Sequence, residues 1–247
     1  MPIVETESLV LRSYDLAEAD RIVVFFTRDH GIVRGVAKGA RRLKSRFGGS
    51  LELFSTVHLS YFQKEDRELV SVQKAEMITS RFAQASRPQY LKTFSYLVEL
   101  LVELLPPNDP NEKMYRMAAA CLELSPDSGD EIAAIELYFE VWLLRLGGYL
   151  PSWASCGGCS RPLSENEPAA LSPDLHLICE ACTKGRHRDL VSPDQRSVLA
   201  AVGRLPPSEF VVFAAEHNPD VSELSAKMRQ MAASIIGRVS RVKQVST

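Results

Sequence analysis

The sequence predicts an α+β fold in which a small β-barrel is followed by a bundle of helices with one cysteine-rich insertion. Apolar and polar residues alternate in short runs over residues 1–80, which is typical of strands with one buried face. From Arg81 onward, apolar residues recur every three or four positions, as on one face of a helix. Two Cys-X-X-Cys pairs interrupt the helical pattern. These observations predict domains at 1–80, at 81–150 joined with 190–247, and at 151–189.

Five short strands separated by turn signals are predicted in the first domain. They cover residues 8–14, 20–27, 31–39, 51–63 and 69–78, with a charged turn at 64–67. Five strands in about 80 residues have the size of an OB-fold, a five-stranded barrel that commonly binds single-stranded nucleic acid in a basic groove with aromatic platforms. Four aromatic side chains could serve as platforms, although core packing is the alternative for each: Phe47, Phe54, Tyr61 and Phe62.

The stretch from Gly31 to Gly49 is strongly basic. It holds six cations and no carboxylate, whereas the whole chain has a formal charge of −2. Its glycines predict a strand that runs into a flexible loop. A polyanion lying along such a loop would release counterions and gain affinity. We therefore predict that a nucleic-acid strand is bound by Arg34, Lys38, Arg41, Arg42, Lys44 and Arg46. The alternative is a solvated loop that only aids solubility.

Three helices are predicted before the cysteines. The first covers residues 88–105 and stops at a Pro-Pro pair. The second and third begin at the capping residues Asp109 and Asp130, because a short acidic side chain can accept the first free N–H groups of a helix. The third helix ends at Gly147-Gly148, a common stop signal.

The helical pattern resumes after the cysteines. Residues 192–195 have the sequence of a capping box, residues 208–213 are ambiguous, and a last helix begins at Asp220. The cations near its end complement the helix dipole or contact DNA: Arg238, Arg241 and Lys243. Helices before and after the insertion are predicted to form one bundle.

The insertion carries two cysteine pairs, Cys156/Cys159 and Cys179/Cys182, separated by nineteen residues. Two Cys-X-X-Cys turns at this spacing predict a zinc site. Four thiolates close the coordination shell, so the zinc is predicted to be structural, with one ion per chain. Two nearby histidines, His176 and His187, are surplus to the site, and Cys121 is predicted to be a small core residue.

Composition and motifs exclude several classes of protein. With 247 residues, 45% hydrophobic and 24% charged, the chain has the composition of an ordinary globular protein. No apolar run approaches the roughly 20 residues needed to span a bilayer, and the N-terminus has no signal-peptide pattern. We therefore expect a cytoplasmic protein without a membrane partner. There is no phosphate loop and no GxSxG motif, so we expect no enzymatic activity.

Three local runs carry a resemblance to a known family. They are the A-D-x-I-V strand within RSYDLAEADRIVVFFTRDH, the turn VAKGARR, and the junction LRLGGYLPSWASCGGC. With the barrel, the bundle and the ribbon in this order, nearly the whole chain resembles the bacterial recombination mediator family RecO. The resemblance implies binding of single- and double-stranded DNA and annealing of complementary strands. It also implies a nucleoid-associated protein that works beside RecR and the single-strand binding protein SSB and helps to load RecA.

In this family the C-terminal tail of SSB is expected to be acidic with an aromatic end. It would need a hydrophobic pocket with a cation at the rim, and the candidates on the helical half are Lys113, Arg116 and Arg145. Two other functions stay open: a zinc-ribbon transcription or translation factor that binds nucleic acid, and a nuclease that uses the basic groove as a substrate track.

Overall fold

Five strands close into a barrel at the N-terminus of the protein. They are β1 (Ile3–Asp15), β2 (Arg21–Thr27), β3 (Gly31–Ala37), β4 (Thr56–Phe62) and β5 (Val70–Thr79). The order around the barrel is β1-β2-β3-β5-β4, and every pair is antiparallel except β3 with β5. This Greek-key barrel has the OB-fold architecture, which confirms the predicted fold class.

The computed structural model describes residues 3–16, 18–63, 67–164, 167–184 and 190–245. The predicted turn at 64–67 is therefore described at Arg67 alone, and His187 lies outside the described residues. The chain divides into two compact units, Met1–Ser125 and Pro126–Thr247.

Strand β1 can pair with both β2 and β4 because its register shifts between Val10 and Arg12, and such a bulge bends a strand. There the Val10 N–H donates to the Ser55 carbonyl (2.9 Å), and the Phe54 N–H donates to the Val10 carbonyl (2.8 Å). Phe54 takes a φ of 65°, which L-residues rarely adopt. Its ring is 1% exposed, so burial compensates for the strained backbone.

The middle of β1, most of β2 and the start of β3 are buried on two faces. Alternate residues point into the barrel and form its core, which includes Val10, Val23, Phe25, Val33, Val57, Leu59 and Val72. Phe26 and Ile32 lie outside this cluster but are also buried. The ring of Phe26 meets that of Tyr115 edge-on at 5.5 Å. This double burial explains why β2 and β3 read as nearly continuous apolar runs.

Helices α1 (Phe82–Ala85), α2 (Pro88–Leu104) and α3 (Glu112–Glu123) belong to the same unit as the barrel. The ring of Tyr90 in α2 meets that of Phe54 at 6.0 Å. The Tyr115 hydroxyl in α3 donates to Glu7 Oε1 of β1 (3.0 Å). The first unit thus includes residues 81–125 as well as the predicted barrel domain. The division at 80, 150 and 190 stays a prediction.

The second unit contains the remaining elements. They are α4 (Gly129–Leu146), β6 (Ala169–Leu171), β7 (Leu177–Cys179), α5 (Glu180–Thr183), β8 (Leu190–Val191), α6 (Pro193–Val202), α7 (Pro207–Glu216) and α8 (Asn218–Val245). Helix α4 packs against α6, α7 and α8, and Trp142 Nε1 donates to the Val202 carbonyl (2.9 Å). The small sheet, ordered β7-β6-β8, lies between α4 and α6 in the chain.

Two helix starts differ from the prediction. The side chain of Asn111, and not Asp109, accepts from the N–H of Met114 at the start of α3. Asp109 lies two residues before the observed cap, Asn111. The backbone of Asp109 packs closely against Gly31 instead of entering the helix. Ser128 caps α4 by accepting from the N–H of Glu131. Asp130 lies in the first turn instead, where its carboxylate complements the helix dipole.

The predicted end of α4 and the predicted start of α6 are confirmed. Helix α4 ends at Leu146 with Gly147 as its C-cap, and Ser192 and Gln195 form a reciprocal capping box at the start of α6. Two strand bounds differ from the prediction, because residues 38–39 and 51–55 lie in the loop between β3 and β4. The ambiguous stretch 208–213 lies within α7. Asp220 lies in the first turn of α8, which begins at Asn218.

Gly31 should be the least replaceable of the glycines in the basic stretch. It has a φ of +66°, and a Cβ there would overlap the backbone of Asp109. We expect Gly31→Ala to lower the free energy of unfolding by about 3 kcal/mol, from the left-handed backbone and the overlap together. Gly48 is the matched control, because it has a φ of +51° with nothing within 4 Å of a Cβ. Gly48→Ala should cost about 1 kcal/mol. Equal losses in urea denaturation would contradict this reading.

Candidate nucleic-acid interface and metal centre

Strand β3 and the loop that follows it display the six predicted cations. Arg34 is exposed on β3 between the buried residues Val33 and Gly35, and Lys38 is exposed directly after the strand. The remaining four lie in the loop of residues 38–55 and are exposed: Arg41, Arg42, Lys44 and Arg46. The structure therefore brings all six to the surface of one barrel, while their contact with DNA stays a prediction.

The loop is held at its start by the turn between β1 and β2. The Gly39 N–H donates to Asp20 Oδ1 (2.8 Å), and the Arg41 N–H donates to the Ala19 carbonyl (3.0 Å). Further along, Phe47 and Leu51 are buried in the barrel core. The loop is therefore a series of turns held at both ends, and not the flexible loop that the glycines predicted.

One carboxylate reaches the cations from outside the basic stretch. Asp15, at the end of β1, pairs with Arg41 at 3.4 Å and with Arg21 at 3.5 Å. The stretch itself lacks acids, but in space the charge of Arg41 is partly offset. Exposed pairs of this kind contribute little, about 0–1 kcal/mol, so the Arg41 guanidinium can exchange Asp15 for another anion.

Arg46 braces the loop against the barrel. Its Nη2 donates to the Val72 carbonyl of β5 (3.1 Å), and its guanidinium lies over the Phe47 ring, 4.9 Å from the centroid. The guanidinium has further donors that can meet a phosphate. Arg46 thus holds the loop in place in addition to its predicted role in binding.

Arg67 is a cation that the sequence reasoning missed. It lines a cavity of about 450 Å³ together with Lys38, Val36, Glu68, Val70 and Ser71. The cavity lies where β3 and β5 run parallel, with Gly35 opposite Val70. The signal was available, because closure of an OB-fold places the end of β3 beside the start of β5. The sequence pattern predicts a charged turn at 64–67 and assigns Arg67 no further role.

Three of the four candidate platform aromatics are core residues. Phe47, Phe54 and Tyr61 are buried, which removes their faces from contact with bases. Phe62, at the end of β4, is partly exposed. The core alternative is therefore confirmed for three of the four rings.

The four cysteines of the insertion come together. Their sulfur atoms all lie within 4.8 Å of one another, and the Sγ atoms of Cys159 and Cys179 are 3.9 Å apart. A tetrahedral zinc ion with Zn–S bonds of about 2.3 Å holds its sulfurs about 3.8 Å apart. The arrangement can therefore hold one tetrahedral metal ion between Cys156, Cys159, Cys179 and Cys182.

Backbone donors around the first sulfur favour the thiolate. The N–H groups of Gly158 and Cys179 each point at the Sγ of Cys156, at 3.3 Å. Burial alone would raise the pKa of Cys156, but the backbone N–H groups outweigh it and lower this pKa to about 6. A thiol that ionises this easily is ready to bind a metal.

Small residues make the first cysteine turn possible. A Cβ at Gly157 would lie 2.6 Å from the Cβ of His176, and one at Gly158 would lie 3.2 Å from the Cβ of Cys182. His176 is exposed and does not belong to the sulfur cluster, as predicted. Cys121 is fully buried in the first unit, and burial raises the pKa of its thiol.

The side chains of Arg238, Arg241 and Lys243 lie outside the described residues, so their predicted roles at the helix end or on DNA stay predictions. Among the described helices, none is both long and apolar enough to cross a membrane.

An OB-fold barrel followed in the chain by a helical unit with four clustered cysteines is an architecture typical of nucleic-acid-binding proteins. Residues 1–81 match the family described as Recombination protein O N terminal, and residues 89–216 match the one described as Recombination protein O C terminal. The chain belongs to this family, RecO, and has a role in DNA repair and recombination.

Curated relatives agree with the family assignment. The DNA repair protein RecO of Koribacter versatilis is 34% identical over 208 residues, which cover 83% of each chain. That of Geobacter metallireducens is 31% identical over 207 residues, again 83% of each chain. That of Syntrophotalea carbinolica is 32% identical over 181 residues, or 73% of this chain and 69% of that protein.

Proposed function

We propose that this protein is a recombination mediator and not an enzyme. It binds single- and double-stranded DNA through the basic loop, anneals complementary strands, and acts with RecR to load RecA onto strands coated with SSB, in the cytoplasm beside the nucleoid. The observation that carries the proposal is a loop of exposed cations fixed on an OB-fold barrel in a chain of the RecO family.

The charge and geometry of the loop suit a phosphate backbone. Side chains that contact phosphates position a strand and carry little sequence information. Arg42 and Lys44 are exposed on the loop, and Lys38 lies with Arg67 beside the cavity between β3 and β5. A strand that follows the loop to this cavity would meet the loop cations first and then Lys38 and Arg67. Two strands held in this way could anneal, because their mutual repulsion would be screened.

Reversal of Arg41, Arg42 and Lys44 to Glu should weaken binding to every DNA sequence alike. The dependence of log affinity on log salt should lose about 0.7 per missing phosphate contact on single strands, or about 2 in all. Annealing should slow in parallel. Fluorescence anisotropy over a salt series measures the first effect, and a strand-annealing assay measures the second.

Lys92, Lys113 and Arg116 reversed together form the matched control, because they are exposed in the same unit and change the net charge equally. Normal binding and annealing by the loop variant at every salt concentration would place the DNA site elsewhere. Intact strands after incubation with divalent metal would separate the mediator from a nuclease. Annealing by the parent would separate it from a transcription or translation factor that only binds.

We also propose that the metal of the four cysteines is a structural zinc. Elemental analysis should find about one zinc per chain. Cys156→Ser with Cys159→Ser should remove it and lower the melting temperature, because metal binding and folding of such ribbons are linked. DNA binding by the loop should persist. Cys121→Ala is the control and should keep one zinc. A metal-free parent of full stability would contradict the proposal.

Arg145 is the best of the three candidates for the rim of a pocket for the SSB tail. It lines a cavity of about 540 Å³ in the second unit, together with Trp153, Leu163, Leu177, Arg196 and Arg204. Lys113 and Arg116 are exposed on α3 in the first unit. An acidic tail with an aromatic end would find apolar walls and three guanidinium groups in the cavity, against one carboxylate, Asp194. We propose that the tail docks there.

Arg145→Glu should weaken binding of a peptide with the SSB tail sequence about tenfold or more, because a charge-assisted contact is replaced by repulsion. Arg145 lies over the Trp142 ring at 5.1 Å, so its loss could also disturb packing. Arg204→Glu, at an exposed position, is the second variant, and Arg145→Lys should retain binding. Calorimetry measures all three, and unchanged binding in both Glu variants would exclude this cavity.

A further inference from the structure

The tip of the basic loop presents an apolar side chain to solvent. Leu43 has a relative exposure of 108%, whereas the next most exposed large apolar side chain among the described residues, Val212, reaches 71%. Single apolar residues on a surface are common. Leu43 differs in two respects. Its side chain packs against no other part of the protein, and it lies between the cations Arg42 and Lys44.

The turn that carries Leu43 is fixed. The Ser45 N–H donates to the Arg42 carbonyl (2.9 Å) and the Arg42 N–H donates to the Gly39 carbonyl (3.1 Å). Leu43 and Lys44 are therefore the two central residues of a four-residue turn. The buried ring of Phe47 anchors the chain shortly after the turn. The Leu43 side chain is thus held outward before any ligand arrives.

Cations surround this apolar tip in the sequence. Arg41, Arg42, Lys44 and Arg46 are all exposed on the same loop, and the paired acid, Asp15, lies on the side of Arg41. A ligand that satisfies the whole tip needs anionic groups with an apolar surface between them. A single strand of DNA has both, because its phosphates alternate with unpaired bases whose faces are apolar.

We propose that the Leu43 side chain inserts between the bases of single-stranded DNA while the neighbouring cations contact its phosphates. The inference rests on the proposed function of the loop and adds a contact with bases, which the cations do not supply. Leucine is among the side chains that proteins push between base steps. In a duplex this insertion must unstack paired bases, at a cost of about a few kcal/mol per step, so the contact favours unpaired strands over duplex and holds their bases apart for pairing with a second strand.

Leu43→Ala in the full chain should weaken binding to a single-stranded oligonucleotide about tenfold at fixed salt. The slope of log affinity against log salt should not change, because no phosphate contact is lost. Lys44→Ala, in contrast, should lower the magnitude of this slope by about 0.7, because one phosphate contact is lost. Leu43→Met, which keeps an apolar side chain of similar size, should bind like the parent. Val212→Ala, at an exposed apolar position of the second unit, should have no effect.

A second measurement reports on the bases directly. A fluorescent adenine analogue placed within the strand should change its emission on saturation with the parent, and much less on saturation with Leu43→Ala. Closed circular duplex should bind both proteins equally. Equal affinity and equal emission for the parent and Leu43→Ala would overturn the proposal.

Two further outcomes separate the alternatives. Anionic membranes also offer charge and apolar depth, so the proteins are sedimented with vesicles of phosphatidylglycerol and phosphatidylcholine in equal parts. A loss confined to vesicle binding in Leu43→Ala would overturn the proposal in favour of a membrane contact. A Lys44→Ala effect on the DNA salt slope without a Leu43→Ala effect overturns this inference alone. No effect of any loop variant on DNA overturns the proposed function as well.

Discussion

The surface chemistry of this protein depends on burial of Phe47 and Leu51 in the barrel core. The loop of residues 38–55 carries five cations and a single carboxylate, and like charges repel one another. Apolar anchors in the core keep such a loop folded back on the barrel, since each buried side chain is worth about 1.5–3 kcal/mol. The hydrogen bond from the Gly39 N–H to Asp20 fixes the other end. The cations are therefore presented in a set arrangement, and a bound strand does not have to order them.

The geometry of the candidate metal centre depends on contacts within the cysteine ribbon and not on the basic loop. Two glycines allow the first cysteine turn, and backbone N–H groups stabilise the Cys156 thiolate. The same unit brings Arg145 and Arg196 to one cavity beside the ribbon, since Arg196 donates to the carbonyls of Ser164 and Glu167. The ribbon therefore shapes a surface of the helical unit as well as bringing the four cysteines together.

The sequence predicted the features that depend on local patterns of residues. It missed the contacts that form only when the barrel closes and brings distant strands together. Five strands, the capping box at Ser192 and the four cysteines follow from local periodicity and spacing, and all are present. The pairing of Asp15 with Arg41 and the position of Arg67 beside Lys38 arise only when distant strands meet. Local pattern also assigned two helix caps to the wrong acids, since Asn111 caps α3 and Ser128 caps α4. Whether the cations touch DNA is a property of the complex, which no pattern in one chain contains.

The seam between the barrel and α3 has a consequence for how the chain is made. Phe26 and Ile32 lie on the outer face of early strands, but their cover, including Tyr115 and the Asn108 N–H that donates to the Ile32 carbonyl, is encoded much later. During synthesis the strands leave the ribosome first and expose this apolar face until α3 follows. Nascent chains in this state are prone to aggregate. The time between synthesis of β3 and synthesis of α3 is therefore the stage at which the chain is most prone to aggregate. A stall or truncation there would release an incomplete barrel with an exposed apolar face.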